Sequence, residues 1–235
     1  MKKYIISFLA VGLFLFPGPA PAQTFTNYTT SDGLPCNSTY GVAVDSHNNK
    51  WFATIAGVAK YNDTAFTVYT TSNGLILDVI NCIAVDKNDN IWVGTDMGAS
   101  KFDGSAWTSF TTNEGLVNNS ITCITSDANG NIWFGTNAGI SKFDGTTWTS
   151  YTSSNGLPSD MISYLATDRS NNLWIGTWIG GLGKFDGTTF KIFTTTDSLP
   201  DNSVTAIATD SLGNKYIGTY YGMAIFNSSD QWVKT

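Results

Sequence analysis

Few residues in this sequence could act as general acids or bases. Its 235 residues include one His, His47, and the sequence holds a single Glu, Glu114, and a single Arg, Arg169. His47 lies in a hairpin turn and Glu114 in a Thr-Asn-Glu-Gly turn, and we predict that these turns lie at opposite ends of the same sheets. A catalytic acid and base must converge on one substrate. The inventory therefore argues against an enzyme, and no cofactor is expected.

Three cysteines could bind a metal or form a disulfide. Cys36, Cys82 and Cys123 form no Cys/His cluster with zinc-ligand spacing, so no metal site is expected. An odd number of cysteines does not make a complete disulfide framework. Cys82 and Cys123 occupy equivalent positions in neighbouring repeats, each four residues before a recurring Asp. The sequence leaves open whether these two cysteines form a disulfide or are small buried thiols, and the second alternative is favoured.

The composition excludes several classes of protein. Hydrophobic residues make up 42% and aromatic residues 14% of the chain, but charged residues only 13%, about half of the usual share. A disordered chain would show the reverse. The formal net charge of −6 leaves no broad basic surface for nucleic acid. Acidic charge with a single Arg also disfavours phosphorylated or sulfated ligands.

The first 22 residues have the pattern of an export signal. Lys2 and Lys3 precede an apolar stretch from Tyr4 to Phe16, and Ala20-Pro21-Ala22 fits a cleavage site. The apolar stretch is shorter than the roughly 20 residues of a membrane-spanning helix. We expect residues 1–22 to be removed, leaving residues 23–235 as one domain in the periplasm or outside the cell, with no membrane span.

A repeat of about 41 residues organises the rest of the chain. Its clearest mark is an aromatic residue, at Trp51, Trp92, Trp133, Trp174 and Tyr216. Six residues before each of these stands an Asp, at Asp45, Asp86, Asp127, Asp168 and Asp210. Within each copy, β-rich runs are separated by turn pairs such as Asn129-Gly130, which are typical of tight hairpins. Four short strands per period and five copies predict an all-β fold, a β-propeller of five four-stranded antiparallel blades.

The residues that recur in every copy are expected to build the scaffold. A buried Trp removes about 150–250 Å² from water, so we expect each recurring Trp to lie in the core. The recurring Asp is expected to accept hydrogen bonds from the amides of its own turn. The residue two positions after each aromatic is always small, at Ala53, Gly94, Gly135, Gly176 and Gly218. This predicts that the next blade packs closely there.

These residues carry a resemblance to a known family. The pattern Gly-Leu-Pro-x-(Asn/Asp), an Asp, Asn-(Ile/Leu)-Trp-(Ile/Val)-Gly-Thr and Phe-Asp-Gly resembles the two-component regulator propeller repeat and is clearest from Gly156 to Gly187. The resemblance covers Phe25 to Trp232. It implies a propeller from the periplasmic or extracellular ligand-sensing half of bacterial hybrid sensor kinases, often for carbohydrates. The β-sandwich and kinase modules of such sensors are missing here, so the resemblance implies no kinase activity.

The ends of the repeat array leave ring closure open. Fourth-strand anchors occur six times, whereas the other strands occur five times, and they are Phe25, Phe66, Trp107, Trp148, Phe190 and Trp232. Residues Phe25 to Thr30 could complete the last blade and close a ring of five. Alternatively, Trp232 to Thr235 complete it and the N-terminal strand covers an edge. Closure removes exposed sheet edges, which favours the first arrangement. A fragment of a larger propeller is a further alternative.

In an antiparallel meander, successive loops alternate between the two ends of a blade. The loops between strands two and three therefore lie at the same end as the connections from strand four to the next blade, and we predict a ligand site at this end. Two sets of residues come together there. The first set lies eight residues before each recurring Asp and comprises Asn37, Asp78, Asn119, Asp160 and Asn202. We expect these side chains to ring the mouth of the central channel; the alternative is that they only initiate turns. The second differs between copies and comprises Ile55, Asp96, Asn137, Trp178 and Tyr220, with Tyr221 beside the last.

These side chains suit a neutral polyol or glycan, because aromatic rings stack on sugar C–H faces while Asx groups pair with hydroxyls. The first functional hypothesis is an exported, non-catalytic ligand-sensing or ligand-binding propeller for a carbohydrate-like ligand, with a membrane sensor or another protein as a further partner. The alternative is a protein-interaction scaffold. A propeller lyase or glycosidase is the third hypothesis, although antibiotic lyases with a similar repeat need a His or Glu base.

Overall fold

The computed structural model describes residues 26–233, so the proposed export signal lies outside the described residues. Within this range the chain forms nineteen strands and four short 3-10 turns. The turns are Thr30–Asp32, Thr71–Asn73, Ser153–Asn155 and Thr195–Asp197. No helix among these residues is long and apolar enough to cross a membrane.

The strands fall into five sheets, which we number as blades 1 to 5. Blade 1 contains β1 (Thr39–Val44), β2 (Lys50–Thr54), β3 (Gly57–Tyr61) and β4 (Phe66–Tyr69). Blade 2 contains β5 (Cys82–Val85), β6 (Ile91–Thr95), β7 (Gly98–Phe102) and β8 (Trp107–Phe110). Blade 3 contains β9 (Ile121–Ser126), β10 (Ile132–Thr136), β11 (Gly139–Phe143) and β12 (Trp148–Tyr151). Blade 4 contains β13 (Ile162–Thr167), β14 (Leu173–Thr177), β15 (Leu182–Phe185) and β16 (Phe190–Phe193). Blade 5 contains β17 (Val204–Thr209), β18 (Lys215–Thr219) and β19 (Gly222–Phe226).

Each blade is an antiparallel meander whose strands pair in sequence order. The first strands of successive blades contact one another, so β1, β5, β9, β13 and β17 lie innermost around a common axis. The predicted all-β propeller of five blades is confirmed. The last sheet departs from it in having three strands among the described residues.

Successive blades pack through the recurring aromatic residues. Trp92 of blade 2 is 2% exposed and lies against Ile121 and Phe134 of blade 3. A side chain is not tolerated two positions later. A Cβ atom added to Gly94 would lie 2.5 Å from the Cγ2 atom of Ile121, so the close packing expected from the small residue is present. Glycine is needed here for proximity to the next blade.

Polar side chains on the innermost strands also join neighbouring blades. Each donates a hydrogen bond to a backbone carbonyl at the start of the next innermost strand. The pairs are Asn81 Nδ2 to Ile121 O at 3.1 Å, Thr122 Oγ1 to Ile162 O at 2.8 Å and Ser163 Oγ to Val204 O at 2.5 Å. These bonds fix the rotation of one blade relative to the next near the axis.

Residues 26–233 form an open arc of five blades. The favoured closure by residues Phe25 to Thr30, of which Phe25 lies outside the described residues, is therefore wrong. The edge of β19 is occupied instead by the chain's own C-terminal residues: Trp232 bridges to Phe226, and the Val233 N–H donates to Ile225 O at 2.8 Å. At the other end Tyr28 packs on blade 1, with its ring centroid 4.9 Å from that of Tyr61. No contact between β17 and β1 compares with those between the other innermost strands of residues 26–233.

Candidate functional site

The end of the blades that carries the turns between first and second strands is uniform, and we call it the lower end. In blade 3, Asp127 accepts hydrogen bonds from Trp133 Nε1 at 2.9 Å and from the N–H of Asn131 at 2.9 Å. The same Asp-to-aromatic bond recurs in the other blades, at Asp45–Trp51, Asp86–Trp92, Asp168–Trp174 and Asp210–Tyr216. The expected turn role of the recurring Asp is therefore present, and it extends to anchoring the core Trp.

These hydrogen bonds outweigh burial in setting the pKa of Asp127 and Asp210. Burial raises the pKa of Asp127, but the bonds from Asn131 and Trp133 lower it more, and the net shift is downward. The Asn214 side chain is the main cause that lowers the pKa of Asp210 to about 2. These two carboxylates thus serve as ionised acceptors at neutral pH.

Recesses lie between neighbouring blades at the lower end. The one between blades 1 and 2 has a volume of about 510 Å³ and includes Asp45, Trp51 and Lys60 in its lining. The one between blades 3 and 4 has a volume of about 180 Å³ and is lined by their counterparts Asp127, Trp133 and Lys142. In each blade from 1 to 4 a Lys Nζ lies 5.2–5.6 Å from the ring centroid of the recurring Trp. Repetition of one lining identifies these recesses as part of the scaffold.

The opposite end, which we call the upper end, differs from blade to blade. Trp178 is 44% exposed. Its backbone N–H donates to Met161 O at 3.1 Å, and this bond holds the loop over the start of β13. Tyr220 and Tyr221 are 69% and 73% exposed, with ring centroids 4.9 Å apart in an edge-to-face arrangement. Ile55 of blade 1 is also exposed. Blades 4 and 5 therefore present three exposed aromatic side chains at this end.

Blades 2 and 3 present a polar network at the same end. Asp96 Oδ1 accepts hydrogen bonds from Asn81 Nδ2 at 3.0 Å and from Ser120 Oγ at 2.9 Å. Asn137 Nδ2 in turn donates to Ser120 Oγ at 2.9 Å. The predicted residues Asp96 and Asn137 are thus brought together through Ser120. The aromatic and polar members of the second predicted set occupy different halves of the upper end.

Each side chain of the first predicted set accepts a hydrogen bond from a backbone N–H seven residues earlier, at the start of the preceding turn. The bonds are Thr30 N to Asn37 at 2.9 Å, Thr71 N to Asp78 at 2.6 Å, Thr112 N to Asn119 at 2.8 Å, Ser153 N to Asp160 at 2.5 Å and Thr195 N to Asn202 at 2.9 Å. The amide at the start of a turn lacks an intrahelical partner, and this need orients the side chains.

Side chains three residues after the first four members of the first predicted set line the centre of the arc. A recess of about 300 Å³ at the axis is lined by residues of the four innermost strands β1, β5, β9 and β13, including Tyr40, Asn81, Thr122, Ser163 and Tyr164. These positions are not among the residues predicted from the sequence to bind a ligand. A run of polar residues at one repeat position, in strands otherwise apolar, was the signal that could have found them. Their hydroxyl and amide donors are largely engaged between blades.

His47 and Glu114 lie far from one another in the fold. His47 belongs to the turn between β1 and β2 at the lower end, where its Nδ1 atom is 3.4 Å from Asp89 Oδ2. Glu114 lies in the connection after β8 at the upper end, where it accepts hydrogen bonds from the hydroxyl and N–H of Thr111, and these bonds lower the pKa of Glu114. The two groups stand at opposite ends of the blades, as predicted.

The cysteines are free thiols. Burial raises the pKa of the Cys82 thiol well above its usual value and raises that of Cys123 to about 12. Both thiols pack against glycines of their own blade: a Cβ atom added to Gly94 or Gly135 would lie 2.6 or 2.4 Å from the sulfur. The alternative left open in the sequence is resolved in favour of free thiols, of which Cys123 is buried and Cys82 is half-buried. Among residues 26–233 no three His, Cys, Asp or Glu side chains are grouped to hold a metal ion.

Charge is divided unequally between the two ends. All nine Lys and Arg residues between positions 26 and 233 lie in the lower halves of the blades. They accompany eleven of the carboxylates, which gives that half a formal charge of −2. The upper end carries the other seven carboxylates and, within the described range, no cation. They are Asp32, Asp78, Asp96, Glu114, Asp160, Asp197 and Asp201.

Three segments of the chain match the family model "Two component regulator propeller", at residues 74–97, 115–138 and 156–179. Each segment runs from a connection between blades, through an innermost strand and the recurring Trp, to an upper-end loop. The resemblance found in the sequence is confirmed for blades 2, 3 and 4. No curated protein matches the chain in sequence.

Solved structures share this fold. The extracellular domain of the hybrid two component system BT4673 from B. thetaiotaomicron is 21% identical over 88% of this chain and 32% of that chain, with a TM-score of 0.73. The corresponding domain of BT3049 is 21% identical over 82% of this chain and 34% of that chain, with a TM-score of 0.64. A catalytically inactive virginiamycin B lyase from Staphylococcus aureus is 17% identical over 89% of this chain and 72% of that chain, with a TM-score of 0.69. The chain spans about one third of the length of the two B. thetaiotaomicron chains.

Proposed function

We infer that this chain, built from two-component regulator propeller repeats, is a non-catalytic ligand-sensing propeller that acts in the periplasm or outside the cell. Its upper end binds a neutral carbohydrate-like ligand. Its neighbours in fold include extracellular domains of hybrid two component systems, which supports the assignment to sensing. The scarcity of acid–base groups and the separation of His47 from Glu114 support a role without catalysis.

The observation that carries the proposal is the contrast between exposed rings and uniform scaffold. In the lower half of every blade the recurring aromatic residue is bonded to an Asp. At the upper end, Trp178, Tyr220 and Tyr221 have no such partner and stand in solvent. Exposed aromatic residues gathered on two adjacent blades are costly to maintain without a ligand, and they provide flat apolar surfaces for the C–H faces of sugars.

The polar half of the upper end supplies the complementary chemistry. The Asp96–Ser120–Asn137 network leaves Asp96 Oδ2 and Asn137 Oδ1 available as acceptors. A ligand that contacts both halves would place hydroxyl groups on these acceptors and a ring on Trp178 or Tyr220. A polar and aromatic lining of this kind is typical of small-ligand sites.

A binding experiment tests this site. Residues 23–235 are screened on a glycan array, and the dissociation constant of the best ligand is measured by calorimetry. The double variant Trp178→Ala plus Tyr220→Ala is expected to bind at least tenfold more weakly, which corresponds to about 1.4 kcal/mol. Leu212→Ala is the matched control, because Leu212 is 76% exposed at the lower end and should leave binding unchanged. Unaltered binding by the double variant would contradict the proposal.

A protein-interaction scaffold is the second candidate function. The upper end also exposes Met97, Met161 and Ile179, which are 57%, 44% and 68% accessible. Flexible Met side chains and branched apolar residues are commoner in protein-binding surfaces than in sugar sites. A screen that yields no glycan but a polypeptide ligand would favour this function.

A further inference from the structure

The upper end combines exposed apolar side chains with a charge of one sign. Trp178, Ile179 and Tyr220 stand in solvent on blades 4 and 5. The upper end as a whole carries the seven carboxylates defined above and, in the described range, no Lys or Arg. Surfaces of proteins commonly mix both signs of charge. A face of one sign focuses the field and attracts partners of opposite charge.

The fold does not need these negative charges. Asp78 and Asp160 accept a turn N–H, and Asn37, Asn119 and Asn202 accept the same N–H at the equivalent positions. The second oxygen of each Asp also accepts an exposed hydroxyl, from Thr71 at 3.5 Å and from Ser153 at 3.1 Å. An amide is thus sufficient for the turn N–H, and the carboxylate adds a charge and one exposed hydrogen bond.

The same substitution occurs in the 3-10 turns. Asp32 and Asp197 accept the N–H of the residue immediately before each turn, Thr29 or Thr194, at 2.8 and 2.9 Å. Asn73 and Asn155 accept the equivalent N–H at 2.9 Å. At four upper-end positions an acidic residue thus replaces an isosteric neutral one that the chain itself shows to be adequate for the turn N–H. Asp96 differs from them, because it accepts two hydrogen bonds where Asn137 of the next blade donates one.

Negative charge that the scaffold does not require has a cost, because like charges on one face repel each other. A partner that carries positive charge would relieve this repulsion and cover the apolar side chains at the same time. The carboxylates are distributed over all five blades and are not gathered at one point. This distribution fits an extended partner better than a small cation.

We propose that the upper end docks a basic polypeptide segment, with Lys or Arg side chains opposite the rim carboxylates and apolar side chains on Trp178, Ile179 and Tyr220. This inference rests on the second candidate function, and it names the charge and extent of the partner. Association is expected to be steered by charge and to weaken as salt is raised, because the screening length falls from about 10 Å at 0.1 M to about 3 Å at 1 M.

Paired variants test the role of the upper-end charges. The upper triple variant is Asp78→Asn, Asp160→Asn and Asp197→Asn. The lower triple variant is Asp103→Asn, Asp144→Asn and Asp186→Asn. These three Asp side chains accept N–H groups in the turns between third and fourth strands, and Asn62 does the same in blade 1. Both change the net charge of residues 23–235 by three and replace each carboxylate by the amide that the chain uses elsewhere. The probe is a fluorescein-labelled dodecapeptide of alternating Lys and Leu, measured by anisotropy at 50 mM and 500 mM NaCl.

We expect the Lys-Leu peptide to bind at 50 mM NaCl and to lose at least tenfold in affinity in the upper triple variant, but less than threefold in the lower one. A Glu-Leu peptide of equal length should not bind. Equal losses in the two variants would mean that only net charge matters and would overturn the proposal, as would no binding by the wild type. Binding of a chitosan hexamer in place of the peptide, with the same dependence on the upper carboxylates, would overturn the assignment to a polypeptide.

Failure of this inference differs from failure of the glycan proposal. Neutral glycan binding should survive the upper triple variant and be lost in Trp178→Ala plus Tyr220→Ala. Peptide binding should be weakened by both. Circular dichroism and the melting temperature of each variant show that the blades remain folded.

Discussion

The two ends of the blades use the same residue types for different purposes. At the lower end an Asp is present in all five blades, and its two oxygens serve several donors at once, among them a core Trp or, in blade 5, the exposed Tyr216. At the upper end Asp and Asn alternate at equivalent positions, and each accepts a turn N–H through one oxygen. A carboxylate is structural where its two oxygens share the turn amides and the core Trp, whereas the second oxygen of Asp160 accepts only the exposed Ser153 hydroxyl. Where one oxygen suffices, the residue type is free to vary, and function can use that freedom.

The sharpest test of this contrast compares two Trp residues. Trp92→Ala should destabilise the protein by about 3–5 kcal/mol, because the side chain is 2% exposed between blades 2 and 3 and its loss leaves a cavity. Trp178→Ala should cost about 1 kcal/mol or less, since exposed sites contribute little to stability. Urea unfolding of both variants measures the two free energies. Equal losses would mean that Trp178 belongs to the scaffold.

A second comparison concerns two Asp residues of blade 4. Asp168→Asn should cost about 1–3 kcal/mol, because an amide offers one acceptor oxygen where Trp174 Nε1 and the amides of Asn172 need two. Asp160→Asn should lie within about 0.5 kcal/mol of the wild type, since Asn119 and Asn202 fill the same role. Thermal and urea unfolding of the two variants check the difference. A large loss in Asp160→Asn would show that the upper-end charge is structural after all.

The smallest effect concerns pH. The Ala106 N–H and the Ser105 side chain hold the pKa of Asp103 at about 2, below its unfolded value of about 3.9. Folding therefore favours the ionised form. The stability that this group contributes is complete above about pH 4 and is lost as the pH falls through 2. In Asp103→Asn the melting temperature should fall less steeply between pH 4 and pH 2 than in the wild type, as measured by calorimetry. An identical slope would contradict the assignment.

The sequence predicted the blades well, because their marks are local. A Trp, a turn Asp and a small residue at fixed spacing each have one physical role, and Trp133, Asp127 and Gly135 fulfil it as expected. Ring closure was predicted wrongly because it depends on which of two similar strands reaches the edge of β19. That competition is decided by the path of the whole chain, not by the pattern at Trp232.

The candidate site was predicted in part. The spacing of the repeats was enough to predict that Asp96, Asn137 and Trp178 lie at the same end of the blades, because the order of the strands decides at which end each loop lies. The direction of a side chain was beyond reach: Asp160 turns toward the N–H of Ser153, and the residues at the axis, such as Ser163, follow an irregular step in strand pairing near the start of β13. Such a step changes which side chains face inward.

The open arc has a consequence for how the molecule opens. Blades 2, 3 and 4 each have two packed neighbours, whereas blades 1 and 5 have one each within the described residues. Val42 of blade 1 and Met223 of blade 5 are accordingly 61% and 58% exposed, while their counterparts in blade 4, Leu165 and Leu182, are buried. In arrays stabilised by nearest-neighbour packing, unfolding begins at the termini and advances inward. Amide protons of β1 and β17 should therefore exchange with deuterium sooner than those of β9. Tyr220 lies on one of these two terminal blades and Trp178 on the blade next to it, so a ligand bound to both would slow exchange in blade 5.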